Sequence, residues 1–286
     1  MDIRSYVRGI KAAFLNQSIA LKYPWNTKSR YDQIKPISEG LIELCEVQAE
    51  SIHQFMRKIP EYLPAFRTFT TTKGTSPESV YWQNDYLPGL DIVALYTMMR
   101  TLNPGMVLEI GSGHSTAVMN RAITDGHLQT KLVCMDPAPR REIKQLTDEW
   151  LHYPLEELSD YTRIDIMSPG DIIFFDGSHI SLANSDVSVF FMEILPRIPI
   201  GVYVHIHDVY LPYDYPLDMA HRGYNEQYLL AMALLYGQHK FQIIFPSFWV
   251  SRQATSQSYL KSTVWDQLKI DGIETHGGSF WFKILS

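Results

Sequence analysis

An apolar run that stops at two closely spaced glycines is the feature that most constrains the fold of this chain. Residues 107–113 read Val-Leu-Glu-Ile-Gly-Ser-Gly, and a segment of helical character opens at Ser115. A short, continuous apolar run is typical of a strand that is buried on both faces. The glycines then allow a tight turn without side chains, so that backbone amides and the positive end of a helix can approach a ligand closely.

Strands and helices alternate regularly from about residue 85 onward. We predict strands over 106–110, 131–135, 151–153, 171–175, 202–206, 241–245 and 278–285, and helices over 91–102, 115–124, 140–149, 186–195 and 225–236. This alternation indicates an α/β fold with a doubly wound, mostly parallel sheet that is covered by helices on both faces. In such sheets, ligands bind beyond the carboxyl ends of the strands.

The lead-in over residues 1–80 is predicted to be an N-terminal helical extension of a main domain over 81–286. Helices are expected over 38–56 and near the start of the chain, where Ile3, Val7, Ile10 and Phe14 fall at helical spacing, and a loop is expected over 68–77. The first helix fits either packing on the protein body or lying on a membrane surface. Because the lead-in is apolar and rich in aromatic residues, it is a candidate contact surface for a homo-oligomer.

The composition allows a full hydrophobic core and disfavours nucleic acid as a partner. The 286 residues are 45% hydrophobic and 20% charged, with a net charge of −6. An acidic balance of this kind opposes binding to a phosphate backbone. Cys45 and Cys134 lack a metal-type spacing, and no segment has the pattern of a signal peptide or a membrane span. We therefore expect a cytoplasmic protein with a small-molecule partner.

An acidic residue ends the second long strand and gives the glycine turn a more specific meaning. Asp136 lies at about the distance downstream at which an acidic side chain meets ribose hydroxyls in nucleoside-binding βαβ units. Together with Gly111 and Gly113, it predicts a ligand that contains adenosine. The structural alternatives are a plain tight turn at the glycines and an Asp-Pro turn at Asp136.

Two adenosine cofactors compete for such a turn, namely a dinucleotide and S-adenosylmethionine. A dinucleotide site calls for glycine or alanine three residues after the second glycine, where this chain has Thr116. It does not call for Glu109, whereas a ligand that carries an amine and a sulfonium is favoured by a carboxylate. The residues therefore favour S-adenosylmethionine, with a nicotinamide oxidoreductase as the alternative.

Ionisable side chains follow two further apolar strands. One strand runs into Asp176 and His179, and the next runs into His207 and Asp208. The strands should be neighbours, so these groups can converge. Methylation of oxygen needs a base, and the two histidines, with Asp208 beside them, are the candidate catalytic residues. A divalent metal held by Asp176, His207 and Asp208 is an alternative means of acidifying a hydroxyl.

The segment that follows Asp208 interleaves aromatic residues with prolines. Such a stiff loop can form the wall of a substrate pocket. The candidate substrate contacts are Tyr210, Tyr213, Tyr215, Arg222 and Glu226. A packed loop without contact to substrate is the structural alternative. His205 lies deeper on its strand and is interpreted as a core residue.

Taken together, these segments resemble the class I S-adenosylmethionine-dependent methyltransferases, in particular the branch with Asp-Gly-x-His and His-Asp strand ends. The matching pieces are residues 107–113, Asp136, Phe-Phe-Asp-Gly-Ser-His at 174–179, Asp186, Val-His-Ile-His-Asp at 204–208 and Asn-Glu-Gln-Tyr at 225–228. The resemblance implies the Rossmann-like fold of that family, with seven strands, the last of which is antiparallel. It implies a hairpin between 241–245 and 278–285.

The resemblance also implies a set of cofactor contacts. Glu109, Gly111, Gly113 and Ser115 would surround the methionine moiety, Asp136 would bind the ribose, Leu155 and Glu156 would flank the adenine, and Ser112 and Asp176 complete the predicted contacts. Relatives methylate hydroxyl groups of sugars or natural products, and some of them use Mg²⁺. Relatives that use Mg²⁺ have paired Asp residues at the position where this chain has His207 and Asp208. The resemblance therefore leaves activity with magnesium and activity without it as alternatives. A scaffold module that binds without turnover is the alternative function.

Overall fold

The computed structural model describes residues 28–31 and 35–286, to which all structural statements below refer. The helix expected across residues 3–14 lies outside the described residues. A seven-stranded sheet forms the centre of the fold, with strand order β3-β2-β1-β4-β5-β7-β6. The strands are β1 Met106–Ile110, β2 Lys131–Met135, β3 Glu149–Leu151, β4 Ile172–Phe175, β5 Tyr203–Ile206, β6 Phe241–Pro246 and β7 Phe280–Ile284.

The sheet is parallel from β3 to β5 and antiparallel at β7. β1 lies at its centre and pairs with β2 and β4, so their carboxyl ends meet at one edge. The order of the strands reverses between β1 and β4, and this is the position where ligands bind in doubly wound sheets. The predicted fold class, a doubly wound and mostly parallel Rossmann-like sheet with seven strands, is confirmed.

The helices cover both faces of the sheet and extend to either side of it. The α-helices are Glu39–Val47, Ala49–Met56, Leu63–Phe66, Gly89–Leu102, His114–Gly126, Thr162–Asp165, Asp186–Val189, Leu217–His221, Glu226–Tyr236, Ser247–Arg252, Ala254–Leu260 and Asp266–Leu268. Short 3₁₀ turns lie at Ile59–Tyr62, Leu155–Glu157, Leu195–Arg197 and Gln238–Lys240, and π-helical turns at Phe190–Ile194 and Lys261–Trp265.

One predicted helix is wrong. Residues 140–148 form irregular chain that leads into β3, although Ile143 and Leu146 are buried at a helix-like spacing of three. The chain is held in this path by bonds to β2, because the Asp148 carboxylate accepts the N–H of Leu132 at 2.8 Å and the Asp148 N–H donates to the Leu132 carbonyl at 2.9 Å. These bonds align Glu149 for pairing with β2 and compete with helical bonding.

The lead-in packs onto the same core as the sheet. The helix predicted over 38–56 is divided at Gln48 into two helices. Leu41 and Phe55 belong to one continuous core that reaches Ile284 in β7. Phe55 also meets Phe245 of β6 edge-on, with ring centroids 5.0 Å apart. The division of the chain at residue 80 stays a prediction.

The predicted hairpin of the last two strands is present, with a helical insertion. β6 pairs with β7 in antiparallel register, with an irregularity between Ile243 and Phe245. The insertion contains the helices between Ser247 and Leu268, and Leu260 and Val264 anchor it in the core. Among the described residues, no helix combines the length and apolar character needed to cross a bilayer.

Candidate active site

The turn after β1 depends on a glycine at position 111. Gly111 has φ +78°, in the left-handed region that favours glycine. A Cβ at this position would lie 1.9 Å from the carbonyl oxygen of Asp176, a backbone atom of the neighbouring strand. No relaxation of a side chain can relieve that contact, so the turn and the end of β4 approach each other only because residue 111 has no side chain.

The second glycine of the turn borders open space. A Cβ at Gly113 would have no atom within 4 Å, and its φ of 173° is ordinary extended backbone. Its N–H donates to the Thr116 hydroxyl at 2.9 Å, and the helix His114–Gly126 begins at the next residue. Glycine at position 113 therefore leaves room beside the start of a helix, where backbone amides favour polar or anionic ligand groups.

Glu109 lies beneath the turn. Its carboxylate is 0% exposed and accepts hydrogen bonds from Ser115 at 2.5 Å, Thr116 at 2.6 Å and the Cys134 thiol at 3.0 Å. Burial raises the pKa of Glu109 to about 7, although these donors oppose the shift. The structure therefore gives Glu109 a supporting position under the helix start. Its expected contact with a cofactor stays a prediction.

Asp136 fixes the turn from the end of β2. One carboxylate oxygen accepts both the N–H of Ser112 at 2.8 Å and its hydroxyl at 3.0 Å, and the other accepts the N–H of Ala138 at 2.8 Å. The backbone of Asp136 is fixed as well, because its carbonyl accepts the Trp150 indole N–H at 2.8 Å. Asp136 thus presents an oriented carboxylate at the carboxyl edge of the sheet.

A cavity of about 420 Å³ opens where these strand ends meet, and we call it the large cavity. It is lined by Ile110, Gly111, Ser112, Met135, Asp136, Pro137, Ala138, Arg140, Pro154, Leu155, Glu156, Asp176, Gly177, Ser178, His179, Ser185 and Asp186. Seven residues predicted from the sequence as site residues meet here, namely Gly111, Ser112, Asp136, Leu155, Glu156, Asp176 and His179. Its volume lies within the range of about 300–1,000 Å³ that is common for small-molecule sites.

A second cavity, of about 110 Å³, adjoins the other side of the turn, and we call it the small cavity. Ser112 and Asp176 line both cavities, so the two are neighbours. Gly113 and Ser115 line only the small cavity. Its outer wall comes from the loops around residues 73–87 and 140–141, with the side chains of Lys73, Tyr81, Tyr86, Leu87, Arg140 and Arg141.

His179 lies between carboxylates at the end of β4. Its Nδ1 pairs with Glu226, a fully buried residue, and its Nε2 lies 3.5 Å from both Asp176 Oδ1 and Asp208 Oδ2. The ring packs on Tyr224 at a centroid distance of 4.5 Å. Burial would lower the pKa of His179, but the surrounding carboxylates, led by Glu226, outweigh it and raise the pKa to about 9.

His207 forms a second group of this kind at the end of β5. Its Nδ1 lies 3.6 Å from Asp176 Oδ1 and 3.6 Å from Asp208 Oδ1, and its Nε2 lies 3.7 Å from Asp91 Oδ2. Burial opposes protonation, but the carboxylates outweigh it and raise the pKa of His207 well above its ordinary value. Asp176 and Asp208 thus connect two imidazoles that both favour the charged form.

The two histidines differ in their access to the cavities. His179 lines the large cavity, whereas His207 is 3% exposed and lines neither of the two cavities described here. His205 is a core residue, as predicted from the sequence. It is 0% exposed, and its ring stacks on Phe174 at a centroid distance of 3.7 Å.

Two acidic residues that pair with these histidines were not recognised from the sequence as their partners. Asp91 was interpreted only as the start of an apolar helix, and Glu226 as a substrate contact. Both side chains are 0% exposed, and each pairs with one histidine. An acidic residue within an otherwise apolar helix is the sequence signal that could have identified Asp91. For Glu226, a position beside the Asn225 helix cap concealed its role.

The aromatic loop after Asp208 is packed. Tyr210 is 6% exposed and, with Tyr215 and Phe248, forms a separate buried cluster against which Tyr213 packs. Arg222 faces outward, where it pairs with Asp218 at 3.0 Å and lies over the Tyr224 ring. Tyr210, Tyr213 and Arg222 do not line the large cavity, so their contact with a substrate stays a prediction.

The described residues contain no group of three or more His, Cys, Asp or Glu side chains whose arrangement could hold a metal ion. The proposed alternative ligands Asp176, His207 and Asp208 are close to one another, but their short contacts are between acid and imidazole. In this arrangement, the carboxylates form ion pairs with the histidines.

Comparison with known proteins gives one match to a family and several distant structural likenesses. Residues 108–209 match a family described as "Methyltransferase domain". This segment contains the last three residues of β1, all of β2 to β5, the glycine turn, Asp136, His179 and His207. No curated protein sequence matches the chain significantly.

Solved structures with a similar chain path include three that contain SAM or SAH, all of which are remote. PaMTH1 of Podospora anserina, bound to SAH, has 14% identity over 94% of this chain and 100% of that chain, with a TM-score of 0.41. An O-methyltransferase from Bacillus cereus, in complex with SAH, has 14% identity, coverage of 90% and 95%, and a TM-score of 0.35. A structure of cmcI with Mg and SAM has 13% identity, coverage of 69% and 72%, and a TM-score of 0.40.

Proposed function

Because residues 108–209 match a methyltransferase domain, we propose that the chain transfers the methyl group of S-adenosylmethionine to a hydroxyl group of a small molecule. The observation that carries the proposal is the glycine turn that borders the large cavity. Gly111 allows the turn to touch β4, Gly113 leaves space free, and Asp136 presents a carboxylate at the same edge.

The residues of the large cavity fit the adenosine part of the cofactor. A carboxylate has roughly four acceptor positions. Three positions of Asp136 are used by Ser112 and Ala138, which leaves capacity for a ribose hydroxyl. Leu155 and Glu156 also line the large cavity, as contacts to the adenine would require. The methionine part would then extend past Gly113 and Ser115 into the small cavity.

When bound, S-adenosylmethionine supplies an electrophilic methyl group on a sulfonium, so the protein has to position an acceptor and remove its proton. We assign proton removal to Nε2 of His179, because His179 lines the large cavity and His207 does not. Glu226 holds Nδ1 and fixes the ring orientation, in the manner of other acid–imidazole pairs. The proton taken from the acceptor would stay on Nε2, and the Asp208 and Asp176 carboxylates, each 3.5 Å away, would stabilise the positive charge of the ring.

Sugars and natural products are the acceptors that we propose. A hydroxyl group requires a base of the kind that His179 provides, whereas a metal is not needed for this route. The net charge of −6 favours a neutral or cationic small molecule over nucleic acid. The family match favours methyl transfer over the oxidoreductase alternative, and the intact acid–histidine cluster favours turnover over a scaffold role.

Calorimetric titration with S-adenosylhomocysteine tests the cofactor assignment. We expect saturable binding to the wild-type protein and no competition by NAD. In Gly113→Leu, the new side chain should enter the space that is open now, so affinity should fall at least tenfold while the melting temperature stays within a few degrees. Absence of binding to the wild-type protein at millimolar ligand would refute the assignment.

A screen of sugar and phenol acceptors, with product mass as the readout, tests the reaction. We expect a gain of one methyl group on oxygen for at least one acceptor class. Running each reaction with and without a chelator shows whether turnover requires a divalent metal ion such as Mg²⁺. Equal turnover supports the His179 route, whereas loss of turnover with the chelator would assign Asp176, His207 and Asp208 to a metal.

A further inference from the structure

A carboxylate lies in the buried part of a helix that is mostly apolar. Asp91 stands in the first turn of the helix Gly89–Leu102, whose residues are buried from Gly89 to Met99. Its own side chain is 0% exposed. A charge that is removed from water is costly unless hydrogen bonds and an opposite charge compensate it. The partners of Asp91 therefore indicate its role.

Backbone amides just before β7 provide one part of this compensation. Asp91 Oδ2 accepts the N–H of Gly278 at 2.6 Å, and Oδ1 accepts the N–H of Ser279 at 3.2 Å. The approach is close enough that a Cβ at Gly277 would lie 2.5 Å from Oδ1. The carboxylate is thus fixed to the loop that precedes β7.

The His207 imidazole provides the opposite charge. Its Nε2 lies 3.7 Å from Asp91 Oδ2 on the buried side. On its other side, Nδ1 lies 3.6 Å from the nearest carboxylate oxygen of both Asp176 and Asp208. The ring is therefore held between the buried Asp91 carboxylate and the carboxylates of Asp176, which lines the large cavity, and Asp208. A change at Asp91 would free one side of the ring.

A second connection runs from Asp91 to Asp208 through the backbone. The Gly278 carbonyl accepts the N–H of Val209 at 2.7 Å, directly after Asp208. Asp208 has φ +52°, in the left-handed region that a residue with a side chain adopts only when its surroundings hold it there. Because Asp91 fixes Gly278, it also supports the backbone that aims the Asp208 carboxylate at His179.

We propose that Asp91 is a positioning residue of the methyl-transfer site, which acts by holding His207 and Asp208 in place and thereby the carboxylates that face His179. This inference rests on the proposed function. Asp91 and Gly278 both lie outside the family-matched segment 108–209. The catalytic arrangement is therefore completed by the helix before β1 and by the loop before β7.

A purely structural role would resemble that of Asp171, which offers a matched control. Asp171 is 6% exposed, and its carboxylate accepts the N–H groups of Met106 and Ser168 at 2.8 Å each. It joins chain segments at the opposite end of the sheet and pairs with no histidine in the described part of the chain. Both carboxylates bind two backbone amides, and only Asp91 also contacts an imidazole.

The test compares Asp91→Asn with Asp171→Asn in the full-length protein. Binding of S-adenosylhomocysteine is measured by calorimetry, and kcat and KM are measured on an acceptor that the wild-type protein methylates in the screen above. For Asp91→Asn we expect kcat to fall at least tenfold, with cofactor affinity within about threefold of wild type. For Asp171→Asn we expect kcat within about threefold, even where the melting temperature falls equally.

A double-mutant cycle with His207→Gln separates positioning from general destabilisation. If Asp91 acts through His207, most of the loss of kcat in Asp91→Asn should disappear in the His207→Gln background. Equal kcat values for Asp91→Asn and Asp171→Asn, or full additivity in the cycle, would overturn the inference. Absence of cofactor binding and turnover in the wild-type protein would instead refute the proposed function.

Should Asp91→Asn fail to fold, Asp91→Glu takes its place. It keeps the charge and the acceptor oxygens but displaces the carboxylate by one methylene. We expect the same direction of change, with a loss of kcat and unchanged cofactor affinity. Wild-type kcat in a folded Asp91→Glu variant would contradict a positioning role, because that role depends on where the carboxylate lies.

Discussion

The two halves of the carboxyl edge of the sheet are built in different ways. At β1 and β2, the turn 111–113 and Asp136 are joined mainly by bonds to backbone amides, all within about thirty residues of chain. At β4 and β5, His179 and His207 are held by carboxylates that come from as far away as Asp91 and Glu226. The first half is a local motif, and the second is an ion-pair cluster assembled from distant segments.

This difference in construction predicts that the two halves have different functions. In the β1–β2 half, Asp136 is held by N–H and hydroxyl donors rather than by charged partners, which suits a site that binds a cofactor. The β4–β5 half concentrates charge and responds to protonation, which suits a site that moves a proton. Changes in the first half should therefore affect binding, and changes in the second should affect turnover.

Substitution of His179 should give the largest effect. In His179→Gln, turnover should fall about 10²–10⁴-fold, as for loss of a general base, while affinity for S-adenosylhomocysteine changes less than about threefold. His239→Gln, at an exposed histidine, is the control and should behave as wild type. Parallel loss of binding and turnover in His179→Gln would break the proposed division between the halves.

The two glycines of the turn should differ in their effect on stability. Gly111→Ala should lower the free energy of unfolding by about 3 kcal/mol or more, because the new Cβ meets a backbone oxygen in a left-handed conformation. Gly113→Ala should cost about 1 kcal/mol or less. Urea unfolding of both variants measures this contrast, and similar losses would mean that the turn is not packed against β4 as described.

The pH dependence of turnover tests the second half. A base must be neutral, and His179 has a pKa raised to about 9, so it is protonated below that pH. Turnover should therefore rise about tenfold per pH unit from pH 7 and level off near pH 9. In Glu226→Gln, the rise should move to lower pH, because the carboxylate that most favours protonation is gone. A profile that is flat from pH 6 to 9 would exclude His179 as the base.

Asp136 should give the smallest of these effects. Asp136→Ala should weaken binding of S-adenosylhomocysteine by about 1–3 kcal/mol, since buried hydrogen bonds to ribose are lost. Asp148→Ala, which removes a carboxylate bonded to the opposite end of β2, should leave the affinity unchanged. If calorimetry finds equal affinities for wild type and Asp136→Ala, the ribose assignment is wrong.

The sequence alone determined the fold class, the bounds of β1 and β2, and the glycine turn that follows β1. These features depend on neighbours in the chain, because a buried strand needs a continuous apolar run and a tight turn needs glycine. The same local logic was wrong over 140–149, where bonds from Asp148 to Leu132 compete with the helical pattern.

Only the tertiary structure decided how the histidines are held. Nothing local to Asp91 or Glu226 indicates which imidazole each would meet, because those contacts form when segments more than forty residues apart pack together. Likewise, Glu109 could be identified as important from its place in the motif, but its burial beneath Ser115 and Thr116 depends on the helix closing over it. Local patterns specify backbone paths, whereas the environment of a charge is set by all the segments that surround it.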